Sequence, residues 1–136
     1  MNYWELIRQE HIMPDISRLN SQSIAEIWPN CLLIKVQARS GNSRMYQYDF
    51  MGEQIRHAYG KDMTGEFVNP AVRSVPGSKI LQKMDMVIEQ VAPYYDEGQF
   101  VNNASKIVKY RSCMVPFGGL DGMVTHVLVG ISWRAF

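Results

Sequence analysis

The stretch from Ser78 to Ala92 constrains the fold more than any other part of the chain. Ile80, Leu81, Met84, Val87, Ile88 and Val91 recur at i, i+1, i+4, i+7, i+8 and i+11, which gathers them into one stripe along a helix. Ser78 stands where an N-cap is needed, and Pro93 stops the helix. A helix with one apolar stripe has to lay that stripe on another layer, and the segments before and after it read as strands.

Before the helix, Cys31 to Ala38 is rich in apolar and β-branched residues, and Ser40-Gly41-Asn42-Ser43 supplies turn chemistry. Alternation resumes at Tyr46, with Tyr46, Tyr48 and Phe50 on one face and Gln47 and Asp49 on the other, so the two runs form a β-hairpin. Glu53 to Tyr59 makes two helical turns that Gly60 closes, because glycine accepts positive φ. Asp62 or Thr64 caps a further short turn reaching about Val68, and the stretch from Asn69 to Gly77, with two prolines, is a loop.

After Pro93 a strand from Tyr94 to Val101 leads to a turn around Asn102-Asn103. Two long strands follow, Ser105 to Phe117 and Met123 to Phe136, joined by Gly118-Gly119-Leu120-Asp121-Gly122. The expected fold is α+β: a five-stranded antiparallel sheet with its helical crossover between the second and third strands.

The N-terminal segment reads as a cap on this core. From Tyr3 to His11, apolar Tyr3, Trp4, Leu6 and Ile7 alternate with Glu5, Arg8, Gln9 and Glu10 as in an amphipathic helix, which Pro14 ends. Ile24, Ile27 and Trp28 form a second short stripe at i, i+3, i+4, broken by Pro29-Asn30. With 136 residues and no repeats or linker-like tracts, residues 1–136 are expected to form one domain: a helical cap over 1–29 and a core over 30–136.

This order of elements resembles the PAS sensory fold, and particular residues carry the resemblance further. Tyr48, Gly52, Ile55, Gly60, Asp62, Thr64 and Gly65 resemble a motif of a PAS subfamily found as small stand-alone proteins in alphaproteobacteria. Tyr3-Trp4, Arg8 and Met13-Pro14 look like that subfamily's opening, Ile27-Trp28-Pro29 with Leu32-Leu33 like its lead-in to the first strand, and Val115-Pro116-Phe117 before Asp121-Gly122 like its hairpin. The chain departs from the pattern at Ile16, Asn20, Ser21 and Asp49. The resemblance implies a bacterial signal-transduction module that binds haem, flavin or a small metabolite and acts through a partner protein.

The residues disfavour two of those ligands. A b-type haem needs an axial ligand, often histidine, on a helix facing the pocket, and Ser78 to Ala92 holds none. A photoreactive flavin needs a cysteine in a short helix, whereas Cys31 and Cys113 lie in strand-like runs and read as reduced core residues. His11, His57 and His126 lack metal-ligand spacing, and no acid–base pair stands out, so neither a metal site nor catalysis is expected. A small isomerase or cyclase is the least favoured reading.

Charge narrows the partners. A net charge of +1, from 14 basic and 13 acidic residues, gives no general drive toward nucleic acid, although Lys106, Lys109 and Arg111 cluster on one strand. The N-terminus lacks a secretory signature and no apolar run is long enough to span a membrane, so a cytoplasmic protein is expected.

Two functions are therefore in view. The first is a sensor whose ligand lies between sheet and crossover, lined by Tyr48, Phe50, His57, Met84 and Arg111, with the ligand itself unidentified. The second is a ligand-free interaction module with a filled core, dimerising through Tyr3, Trp4 and Ile7 or through an exposed sheet face.

Overall fold

Five strands, β1 (Cys31–Ala38), β2 (Arg44–Met51), β3 (Tyr94–Val101), β4 (Ile107–Gly118) and β5 (Val124–Ala135), form one antiparallel sheet in the order β2-β1-β5-β4-β3. Among the described residues three α-helices accompany it: α1 (Asn2–Arg8), α2 (Glu53–Tyr59) and α3 (Ile80–Gln90). The structure, a computed structural model, describes residues 2–38, 44–68, 80–101, 105–119 and 121–135. The predicted turns at Ser40–Ser43 and Asn102-Asn103, the loop from Asn69 to Gly77 and the Ser78 cap lie outside the described residues. The fold is PAS-like α+β, with α2 and α3 between β2 and β3 as expected.

Local chemistry accounts for the crossover. Gly60, at φ 82°, donates its N–H to the carbonyls of Arg56 and His57 and closes α2. The expected short turn follows, closed by the Glu66 N–H on Met63 O at 2.9 Å, but it stops short of Val68. Asp62 caps it by accepting hydrogen bonds from the N–H and Oγ1 of Thr64 at 3.0 and 2.6 Å, and the chain then leaves extended. Gly65 donates to Tyr48 O, Tyr48 N–H to Glu66 O and Val68 N–H to Tyr46 O, so residues 65–68 cover the free edge of β2.

The two faces of the sheet are distinguished by what α3 touches. Lys83 reaches Asp96 on β3, Asp85 reaches Tyr46 on β2, and Asp96 pairs with Ser112 in the ladder. Alternation then puts Tyr46, Tyr48, Met114, Val127 and Val129 on the α3 side, the inner face, and Arg111, Cys113, Val115, Phe117 and Leu128 on the outer face.

Val115, Phe117 and Leu128 are nonetheless fully buried, because the N-terminal segment covers that end of the outer face with Trp4, Met13 and Ile24. This segment is shorter in helix than its periodicity suggests. Gln9 takes a left-handed φ of 55° and ends α1 at Arg8, and the stripe at Ile24, Ile27 and Trp28 becomes 3-10 turns over Ser21–Ile24 and Trp28–Asn30. Asp15 caps a further 3-10 turn, Ile16–Arg18, by accepting the N–H of Ser17, and Asn20 caps Ser21–Ile24 by accepting that of Gln22, both of which compete with a continuous helix.

Candidate functional site

The inner face meets α3 through three consecutive residues with three different tasks. At 3.6 residues per turn, neighbouring side chains are about 100° apart, so Lys83 and Asp85 flank the direction in which Met84 points. Met84 and, one turn on, Val87 point at the sheet and are fully buried. Lys83 is thereby aimed at the β3 edge and Asp85 at the β2 edge.

Each flank makes a polar tie. Tyr46 Oη donates to the Asp85 carboxylate, with Arg44 Nη1 3.5 Å from the same oxygen and 3.9 Å from Glu89 Oε1. Burial, with the Asp85 carboxylate second, pushes the Tyr46 phenol well above its ordinary pKa, so it remains a donor. On the other side Lys83 Nζ donates to Asp96, with side chains 14% and 22% exposed, and lies 5.8 Å from the centroid of the Tyr110 ring. The result is an apolar floor of Tyr48, Met84 and Val87 between two pairs of hydrogen-bonding groups.

The five predicted lining residues do not converge. Tyr48 and Met84 share the inner face and are buried. Phe50 does not join them, because a β-bulge between Leu33 and Ile34 pairs Tyr48 with Ile34 but Phe50 with Leu33, and so turns Phe50 outward. There it stacks on Trp28 at 4.5 Å between ring centroids, with 16° between the planes. His57 projects from α2 into solvent, 74% exposed, with Nε2 3.9 Å from Glu53. Arg111 shares a strand face with Cys113, Val115 and Phe117, but that is the outer face and not the one α3 covers, and there it lies 83% exposed and 3.6 Å from Glu97.

The predicted dimer residues are engaged within the chain. Trp4 is buried and donates its indole N–H to Pro116 O at 2.7 Å, Tyr3 Oη accepts the Asn20 N–H at 2.8 Å, and Ile7 packs on the core. The amphipathic pattern of α1 finds its partner in this chain's own sheet, leaving Leu6 exposed on the helix and Ile12 exposed just beyond it. Among the described residues no helix is long and apolar enough to cross a membrane, and no three His, Cys, Asp or Glu side chains cluster as metal ligands.

Sequence reading missed Tyr46–Asp85 and Lys83–Asp96. The available signal was the pair of opposite charges, Lys83 and Asp85, bracketing Met84 in the apolar stripe.

No family model matches this chain, and no curated protein matches it. Among solved structures it is similar to the PAS domain of BvgS from Bordetella pertussis, at 13% identity over 79% of this chain and 75% of that one, with a TM-score of 0.49. It is also similar to the PAS domain of a protein from Colwellia psychrerythraea, at 14% identity over 85% of this chain and 95% of that one, with a TM-score of 0.49.

Proposed function

We propose that this chain is a PAS-type sensory module that takes a small molecule between the sheet and its helical crossover and passes occupancy on through a partner protein. The attachment of α3 carries this reading. Burial of Met84 and Val87 sets how closely the helix approaches the sheet, but apolar contact is non-directional and leaves its lateral position open. The ties Tyr46–Asp85 and Lys83–Asp96, at opposite edges of the sheet, set that position. A ligand group that competes for either tie binds two helix positions unequally, which is the condition for a ligand to shift a population. Tyr48 and Met84 would meet its apolar part. The proposed module is non-catalytic and cytoplasmic, a single domain in which residues 1–29 cap residues 30–136.

The test is native mass spectrometry and visible absorption of the freshly purified protein, followed by thermal melts against a metabolite panel. A bound mass is expected that leaves on denaturation and is lost from Asp85→Asn and Lys83→Met variants that still fold. A ligand-free mass in every preparation, together with no melting shift across the panel, would sink the sensor reading.

A second reading is favoured by the complete burial of Met84 and near-complete burial of Tyr48, which fill the inner face at those positions. On that reading the chain is a ligand-free interaction or dimerisation module, and gel filtration would find a dimer across micromolar concentrations.

A further inference from the structure

We propose that the outer face of the sheet carries its own ligand site, a groove that takes a small amphipathic anion, a carboxylate on an alkyl or aryl body. The site lies across the sheet from the one discussed above and does not depend on it.

Two hollows make the groove. The first, about 370 Å³, lies where the N-terminal cap meets the sheet and is walled by Ile27, Tyr95, Cys113 and Gly130. The second, about 740 Å³, lies further along β3, β4 and β5 among Gln99, Lys109, Arg111 and Arg134. Arg111 and Ser132 line both, so the two hollows adjoin. Each volume is within the range of small-molecule sites.

The first hollow exists because of Gly130. It stands in a cross-strand row between Cys31 on β1 and Cys113 on β4, and without a side chain it leaves the row low on β5. A Cβ placed there would meet Cys113 Sγ at 3.5 Å, ordinary contact, so the glycine leaves open space that a larger residue would fill. Ile27 and Tyr95, both exposed apolar side chains, border that space.

The second hollow is cationic. Lys109 and Arg134 are direct partners in the β4–β5 ladder, and Arg111, two residues from Lys109, projects from the same face. Three cationic side chains gathered on one patch of the face attract an anion. Among the described residues Lys109, Arg111, Arg134 and Glu97 line this hollow, and the contact of Glu97 with Arg111 is 3.6 Å and highly exposed. Such an exposed pair is worth little and exchanges readily, leaving the planar guanidinium to hold a ligand carboxylate through two parallel hydrogen bonds. Glu26 lines the apolar hollow, so like-charge repulsion directs an anionic head away from that end and toward Arg111, Lys109 and Arg134.

The test titrates the full chain with octanoate, octan-1-ol and acetate by calorimetry, below the concentration at which octanoate forms micelles, and maps the response by amide NMR. Octanoate should bind at one site and move the amides of Gly130 and Ser132, with octan-1-ol and acetate weaker by about tenfold or more, since each lacks one half of the recognition. Arg111→Gln and Arg134→Gln change exposed side chains, so folding is retained, and each should weaken octanoate several-fold; Ile27→Ser should weaken it while leaving acetate unchanged. The proposal is overturned by no octanoate response, by octan-1-ol binding as well as octanoate, by shifts centred on Tyr48 and Met84, or by affinity that survives both arginine substitutions together.

Discussion

Trp4 and Pro116, 112 residues apart in the chain, are joined by a buried hydrogen bond in which the indole N–H donates to the β4 carbonyl at 2.7 Å. The bond fixes the N-terminal cap to the outer face of the sheet, where Trp4 is buried in the core. Trp4→Phe keeps most of the ring but strands the carbonyl, and should cost about 1–3 kcal/mol in urea unfolding. Leu6→Ala on the same helix, at a side chain 75% exposed, should stay within about 0.5 kcal/mol. Equal midpoints for wild type and Trp4→Phe would mean that water reaches the Pro116 carbonyl.

Cys31 and Cys113 each pair with Gly130, so they lie two strand spacings apart on one face. At about 4.8 Å per spacing their Cα atoms are roughly 9.6 Å apart, past the approximately 7 Å limit for a disulfide. Both are free thiols, and Cys31 is fully buried, its pKa pushed up to about 12 by burial and, secondarily, by Cys113. A thiol reagent applied to native protein at pH 8 should label Cys113 first and Cys31 on the timescale of unfolding. Oxidation without denaturant should yield no intramolecular bridge. Equal labelling rates would contradict the burial of Cys31.

What was legible in the sequence is what local texture decides. Cys31–Ala38, Tyr94–Val101 and Glu53–Tyr59 stand where their alternation, flanking breakers and closing Gly60 put them, and α3 begins and ends within two residues of its expected bounds. Phe50 shows the limit. Its period-two spacing from Tyr48 is genuine, yet its face is decided by a bulge against β1, a property of two strands and not of one. The amphipathic pattern of α1 likewise says that Trp4 needs a partner without saying whether that partner is a second copy or Pro116. Strand parity groups Arg111 with Cys113, Val115 and Phe117 but does not say which face α3 will cover, so its place on the outer face was not legible.

Gly52 illustrates a requirement of close approach. It is the residue before α2, its N–H donates to Cys31 O at 2.8 Å, and a Cβ there would fall within 2.5 Å of the Trp28 carbonyl oxygen. The obstacle is backbone, so relief requires moving the Trp28–Asn30 turn off the sheet and disturbing the Trp28–Phe50 stack. Gly52→Ala should therefore cost about 1–3 kcal/mol, against the few tenths gained where alanine replaces glycine without strain. Chemical denaturation would measure it, and tryptophan fluorescence should report the displaced Trp28. A stability equal to or above wild type would refute the contact.

His126 makes the structure sensitive to acid. It projects from β5 on the outer face, with its side chain 13% exposed, Nδ1 2.9 Å from Thr125 Oγ1 and Nε2 3.8 Å from Asp49. Burial lowers its pKa from the ordinary value near 6.5; Lys35 lowers it further, while Asp49 and Asp15 act in the opposite direction and do not prevail. A histidine with a depressed pKa binds fewer protons folded than unfolded, so its contribution to stability is complete above about pH 6.5 and is lost as pH falls through the folded value. The urea midpoint should therefore drop between pH 7.5 and 5.5, above the range in which most carboxylates titrate. His126→Gln keeps a polar side chain of similar reach but has no proton to take up, and its midpoint should change less over that interval. A slope steeper in His126→Gln than in wild type would mean that Asp49 and Asp15 outweigh burial, reversing the sign argued here.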